Sequence, residues 1–163
     1  MALCRIYGKL SLFITITTNP KWLEILCRLT KGQTAADVPV IVCRVFHNRL
    51  AVLKKFLHKR FSCVVYTITV VEFQKRGLPH AHLLIKVFPE IPIHHIDDVV
   101  SAELPLGENE KDKELHQLVK EFMQHKESHL LSLESRYNKK GRCIYGFPHA
   151  VQEWTTVDDH GRV

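Results

Sequence analysis

Between Ser11 and Thr18 the chain reads S-L-F-I-T-I-T-T, with Leu12, Ile14 and Ile16 alternating against Phe13, Thr15 and Thr17. A period of two in β-branched and aromatic residues predicts a strand. Asn19-Pro20 predicts its end and a helix start, Asn serving as N-cap and Pro at the first helical position. That helix is expected to reach about Leu29, with Trp22, Ile25, Leu26 and Leu29 on one face and Lys31-Gly32 closing it. From Val38 to Lys59 the apolar positions take helical spacing: Val38, Ile41, Val42, Val45, Phe46, Leu50, Leu53, Phe56 and Leu57, with Asp37 as N-cap. Ser62 to Gln74 is a long β-rich run, and Pro79 to Phe88 reads as its antiparallel return across a turn at Lys75-Arg76-Gly77-Leu78. Pro89, Pro92 and the loop pair His94-His95 break the regularity. Asp97 or Asp98 would cap a short helix to about Glu103. A further helix is expected from Asp112 to His125, striped by Leu115, Leu118, Val119, Phe122 and Met123. Periodicity is lost from Lys126 onward: 136–149 is basic and turn-rich, 153–163 polar and without an obvious partner element. Residues 1–10 offer little pattern beyond a turn at Gly8.

The hairpin carries the candidate chemistry. His80 and His82 are two apart on the return strand, so both imidazoles point to one face. Glu72 and Gln74 share a face of the preceding strand in the same way. Folding one strand on the other would bring two imidazoles and a carboxylate or amide oxygen to one patch, a nest for a divalent cation with open coordination positions. A His-x-His pair alone is a weak signal in a chain with 11 histidines among 163 residues; a half-buried and a solvated histidine at a strand start is the plainer reading.

Composition narrows the partner. The formal charge is +6, and no acidic residue occurs between Asp37 and Glu72. Arg44, His47, Asn48, Lys54, Lys55, His58 and Lys59 gather on the polar face of the long helix, with Lys75 and Arg76 in the turn beyond. Such a face is either ordinary solvated surface or a sequence-independent contact for phosphates. Five widely spaced cysteines without a C-x-x-C pair argue against a disulfide framework or a zinc finger, and for a reducing compartment. No apolar run approaches a membrane span and no signal-peptide layout opens the chain, so neither a membrane nor secretion is expected. Gly141 and Gly146 have the P-loop gap, but Phe147-Pro148 follows where Lys-Ser/Thr is needed, so no ATP site is expected.

Five stretches, in order, carry a resemblance: F-I-T-I-T-T-N-P-K-W-L-E-I (Phe13–Ile25), V-P-V-I-V-C-R-V-F (Val38–Phe46), E-F-Q-K-R-G-L-P-H-A-H-L-L (Glu72–Leu84), I-D-D-V-V-S-A-E-L-P (Ile96–Pro105) and G-R-C-I-Y-G-F-P (Gly141–Pro148), followed by T-T-V-D-D-H-G. The chain resembles the N-terminal helicase-like domain of Helitron rolling-circle transposases. The resemblance implies an α+β fold, a central antiparallel sheet with helices packed on it as in HUH endonucleases and their RRM-like core. Residues 1–125 would form that core and 126–163 its basic, partly unpaired C-terminal segment. It further implies metal-dependent nicking and transfer of single-stranded DNA, with Mg²⁺ or Mn²⁺ held by His80, His82 and a third ligand. Glu72 is the first choice, since a hard cation prefers a carboxylate, and Gln74 the alternative. In such enzymes a tyrosine on a later helix attacks the phosphate; that helix and the P-loop helicase would lie beyond Val163, so the chain reads as a fragment, from a truncated gene model or a decayed transposon copy. Tyr137 and Tyr145 remain as nucleophile candidates, though each reads first as a packing or surface tyrosine. An intracellular, nuclear location follows from the same resemblance. The competing reading is a catalytically dead remnant acting at most as a basic nucleic-acid-binding or interaction module.

Overall fold

The computed structural model of the chain describes residues 2–73, 77–125, 127–132 and 134–157. By compactness it divides into two units, Met1–Ile91 and Pro92–Val163. In chain order the first unit holds α1 (Ala2–Tyr7), β1 (Leu12–Thr17), α2 (Leu23–Leu26), a 3₁₀ turn at Ala35–Asp37, α3 (Pro39–Arg60), β2 (Val64–Phe73) and β3 (Pro79–Val87). Its three strands form an antiparallel sheet in the order β1-β3-β2, which makes the fold α+β as expected. A β-α-β-β order with the third strand in the middle is the first half of the split βαβ arrangement.

Alternation decides which side of the sheet is covered. Ala81, Leu83, Ile85 and Val87 on β3 are all buried, and with Leu12, Ile14 and Ile16 of β1 they pack against Phe46, Leu50 and Leu57 of α3. A smaller cluster, Ile25, Ala35 and Val42, ties α2 and the 3₁₀ turn to the start of α3. Arg49 clamps the same junction: its guanidinium donates to both Glu24 carboxylate oxygens at 3.1 and 2.9 Å and lies 4.5 Å from the centre of the Trp22 ring. The ends of β1 are pinned to β3, where Ser11 N–H donates to Ile85 O (2.9 Å) and Thr18 Oγ1 to Pro79 O (2.5 Å). Gly77, at φ +71, supplies the left-handed residue that lets β2 turn back into β3. On the opposite face of the sheet the end of α1 meets β2, where Tyr66 Oη donates to Gly8 O (3.4 Å) and the Tyr7 and Tyr66 rings lie 6.0 Å apart. Lys86, 4% exposed on that face, pairs with Glu90 and holds the Glu90 carboxyl below the usual range.

Several expected boundaries move for identifiable reasons. Asn19 does not cap a helix: its Oδ1 accepts from Lys21 N–H (2.8 Å) and Trp22 N–H donates to Asn19 O (3.1 Å), so 19–22 is a turn. Helix α2 therefore spans only Leu23–Leu26, with 3₁₀-type bonds from Arg28 and Leu29 behind it. Asp37 is likewise not the N-cap of α3. It closes a capping box with Thr34, which donates from both N–H and Oγ1 to Asp37 Oδ2 at 2.8 Å, and α3 starts at Pro39. Phe56, expected in the apolar stripe of α3, is 61% exposed.

The second unit holds a 3₁₀ turn at Ile93–His95, α4 (Glu110–Leu118) running into a π-helical turn (Val119–Met123), a 3₁₀ turn at Glu127–Leu131, and a hairpin of β4 (Asn138–Lys139) and β5 (Arg142–Cys143). The helix expected up to Glu103 does not form. One turn closes with Val99 and Val100 N–H on Ile96 O, and Ser101 Oγ then accepts from Glu103 N–H (3.2 Å). Helix α4 starts two residues before the expected Asp112, with Asn109 as its cap, accepting from Asp112 N–H at 2.9 Å. His94 and His95 sit in the 3₁₀ turn, His95 Nδ1 lying 2.6 Å from Asp98 Oδ2. The β4–β5 loop is the two-residue Lys140-Gly141, both at positive φ (54 and 78), with Asn138 Oδ1 accepting from Gly141 N–H (2.8 Å).

Candidate metal centre

The face of the sheet away from α3 brings the hairpin residues together. Glu72 stands opposite His80 in the β2–β3 register, and Val70 opposite His82. On the other flank Thr17 pairs with His80 and Thr15 with His82. Ala81, between the histidines, points the other way and is fully buried under α3, which fixes both imidazoles on the open face. One ligand atom from each of Glu72, His80 and His82 falls within 4.8 Å of the others. Glu72 reaches diagonally, its Oε1 lying 3.3 Å from His82 Nε2. The imidazole rings meet edge to face at 4.7 Å and 76°. His80 is 7% exposed, whereas the Glu72 side chain is 56% exposed, so the cluster opens to solvent on the carboxylate side.

Both rings are held from behind. Thr17 Oγ1 lies 2.8 Å from His80 Nδ1, and Thr15 Oγ1 lies 3.2 Å from His82 Nδ1. A hydroxyl can donate to or accept from Nδ1. With Nδ1–H donating to threonine, Nε2 presents its lone pair to the patch, the arrangement a metal-bound histidine needs. With Nε2–H instead, His82 donates to Glu72 and accepts from Thr15. The threonines therefore support the ring in either tautomer, and a cation would select the first. Two imidazole nitrogens and one carboxylate oxygen form the donor set that suits a divalent transition ion with open positions. Phe13, on the same face of β1, stacks on the His82 ring at 5.4 Å and 21°.

Gln74, Lys75 and Arg76 fall outside the described residues. Arg44, Lys54, Lys55 and Lys59 are on α3, which covers the opposite face of the sheet from the histidines. Lys54 and Lys55, with His47 and His58, line a groove of about 580 Å³ between α3 and β2, floored by Leu50, Ala51, Thr69 and Val71. Tyr137 and Tyr145 belong to the second unit, their rings 5.9 Å apart and the Arg136 guanidinium 4.6 Å from the Tyr137 ring centre. Thr15 and Thr17 were not singled out by the sequence; their one signal was their place on the polar face of the alternating first strand. Among the described residues no helix is long and apolar enough to cross a membrane.

Comparison with curated proteins and with solved structures gives no match. Comparison with protein families gives a match to the Helitron helicase-like domain at N-terminus, over residues 1–85. The matched span contains β1, α3, β2, β3 as far as Ile85, the threonines of β1 and the whole Glu72/His80/His82 cluster, while the Ile96–Pro105 and Gly141–Pro148 blocks lie beyond it. Since it takes in more than half of the 163 residues, the chain belongs to the Helitron helicase-like N-terminal domain family.

Proposed function

We propose that this domain holds a divalent cation on Glu72, His80 and His82 and offers it to the phosphodiester backbone of single-stranded DNA, as a step in metal-dependent nicking and strand transfer. The observation that carries the reading is the convergence of three ligand atoms within 4.8 Å on an open sheet face, with a threonine behind each ring. A cation bound there would draw charge from the phosphoryl oxygens and fix the backbone in line for attack. The chain's own part is to aim the two imidazoles and the Glu72 carboxylate at one patch, and to leave the carboxylate side open for a phosphate. Two nitrogen donors favour Mn²⁺ over Mg²⁺, which prefers oxygen and gives up water reluctantly. Tyr137 and Tyr145 remain candidates for the attacking phenol. A covalent protein–DNA adduct lost in Tyr137→Phe or Tyr145→Phe would identify it.

The test is binding of a fluorescent single-stranded oligonucleotide, with Mn²⁺ and with a chelator, against a duplex of the same sequence. The reading expects tighter single-strand binding in Mn²⁺ that His82→Ala abolishes. Equal affinity for both forms, indifferent to metal, would instead favour a remnant that binds nucleic acid through bulk charge. The observation behind that second reading is the placement of Lys54 and Lys55 in a groove on the other side of the sheet from the histidines.

A further inference from the structure

We propose that Phe13 is a nucleobase-stacking position, holding one base of a single strand beside the Glu72/His80/His82 cluster; the inference rests on the single-strand reading above. Phe13 is 63% exposed although it sits in the register of a sheet strand, opposite Leu84. A lone exposed apolar residue needs no explanation. Phe13 differs in three respects. Its ring lies nearly parallel to that of His82, at 5.4 Å and 21°, so one ring face is packed and the rest stands in solvent. It shares with the cluster the face of the sheet away from α3, since Phe13, Thr15 and Thr17 pair with Leu84, His82 and His80 in turn. Around it on that face stand Val70, 48% exposed, the exposed Thr15 and Thr17, the two imidazoles, Glu72, and Lys86 paired with Glu90.

A flat exposed ring beside a site suited to a phosphate fits a ligand that carries π-faces and phosphates at one repeat. A single-stranded nucleic acid is that ligand. Stacking works for any base because every base has a π-face, so Phe13 would add affinity and position without sequence preference. In the RRM, a four-stranded sheet, aromatic residues stack on unpaired bases in this way. Here β1 supplies the ring and β3 the imidazoles. A base stacked on Phe13 would restrain the sugar–phosphate next to it, which bears on where along the strand the cation meets the backbone.

The experiment compares a short oligothymidylate with an abasic oligomer of equal length and charge, by fluorescence anisotropy in Mn²⁺, on the full chain and on Phe13→Ala and Phe13→Trp. Mn²⁺ affinity is measured in parallel by calorimetry. The proposal expects oligothymidylate to bind about tenfold more tightly than the abasic strand. Phe13→Ala should erase that preference while single-strand binding stays Mn²⁺-dependent, and Phe13→Trp should keep it. Unchanged preference in Phe13→Ala, with Mn²⁺-dependent single-strand binding intact, would overturn the stacking role alone. Loss of Mn²⁺ affinity in Phe13→Ala would overturn it in favour of Phe13 as a prop for His82. Absence of any Mn²⁺-dependent single-strand binding by the unaltered chain would overturn both this inference and the reading beneath it.

Discussion

A hydroxyl behind each imidazole separates this cluster from a chance His-x-His. Thr17 holds His80 at 2.8 Å and Thr15 holds His82 at 3.2 Å, so ring orientation is set before any cation arrives. Thr17→Val keeps the β-branched shape and removes the hydroxyl. We expect it to weaken Mn²⁺ binding about 10–100-fold, the usual cost of losing an outer-shell partner, while Thr17→Ser stays close to the parent. Calorimetric titration alongside a melting curve checks this: an unchanged melt with weaker binding assigns the effect to the ring. Because a metal competes with protons for imidazole nitrogen, Mn²⁺ binding should also weaken as the solution is acidified. At this scale the histidines and Glu72 were legible because a period of two fixes a face whatever the rest of the fold does. The threonines were not, because local pattern does not say which strand lies beside the histidine strand, or in what register. Gln74, the alternative oxygen ligand, falls outside the described residues, whereas the Glu72 carboxylate does reach the patch.

Strand β3 links fold to site. Ala81, Leu83, Ile85 and Val87 anchor one of its faces under α3, and the same backbone aims His80 and His82 from the other. Leu83 is fully buried, so Leu83→Ala should cost about 2–5 kcal/mol in chemical denaturation. A surface change at Phe13 should cost far less, which makes it usable as a probe. The α2–α3 clamp adds a pH-dependent part. The Arg49 guanidinium, hydrogen-bonded to Glu24, holds that carboxyl below its ordinary value. A depressed folded-state value means the contribution is present above the unfolded glutamate's range and lost as pH falls through the folded one. Glu24→Gln should therefore melt earlier than the parent near neutrality, and the two curves should converge in acid. Long, strongly periodic elements were the legible ones: β1, α3 and the β2–β3 hairpin fall within a residue or two of expectation. The short ones were not, since one side-chain hydrogen bond decides them. Asn19 and Ser101 each spend their side chain on a turn where a helix was expected. Helix α1 went unforeseen because six residues are too few to display a stripe.

At the largest scale the α3 lysines and the candidate metal ligands lie on different sides of the sheet. Lys54 and Lys55 of α3 line a groove on one side of the sheet, and the candidate metal ligands occupy the other. A single strand engaging both would have to pass around a sheet edge, so the two can be separated by experiment. Lys54→Glu combined with Lys55→Glu should weaken single-strand binding and flatten its dependence on salt by about one to one and a half units of log–log slope, leaving Mn²⁺ affinity unchanged. A fall in Mn²⁺ affinity in that variant would contradict the separation. Charge counted along the sequence suggested one anionic partner, and only the three-dimensional arrangement separates the α3 lysines from the candidate metal ligands. The most direct measurement is a calorimetric titration of the intact chain with Mn²⁺, repeated on a His80→Ala/His82→Ala variant with an unchanged far-ultraviolet spectrum. The account predicts one saturable site per chain, absent from the variant. No heat of binding in the parent, or the same isotherm in both proteins, would contradict it.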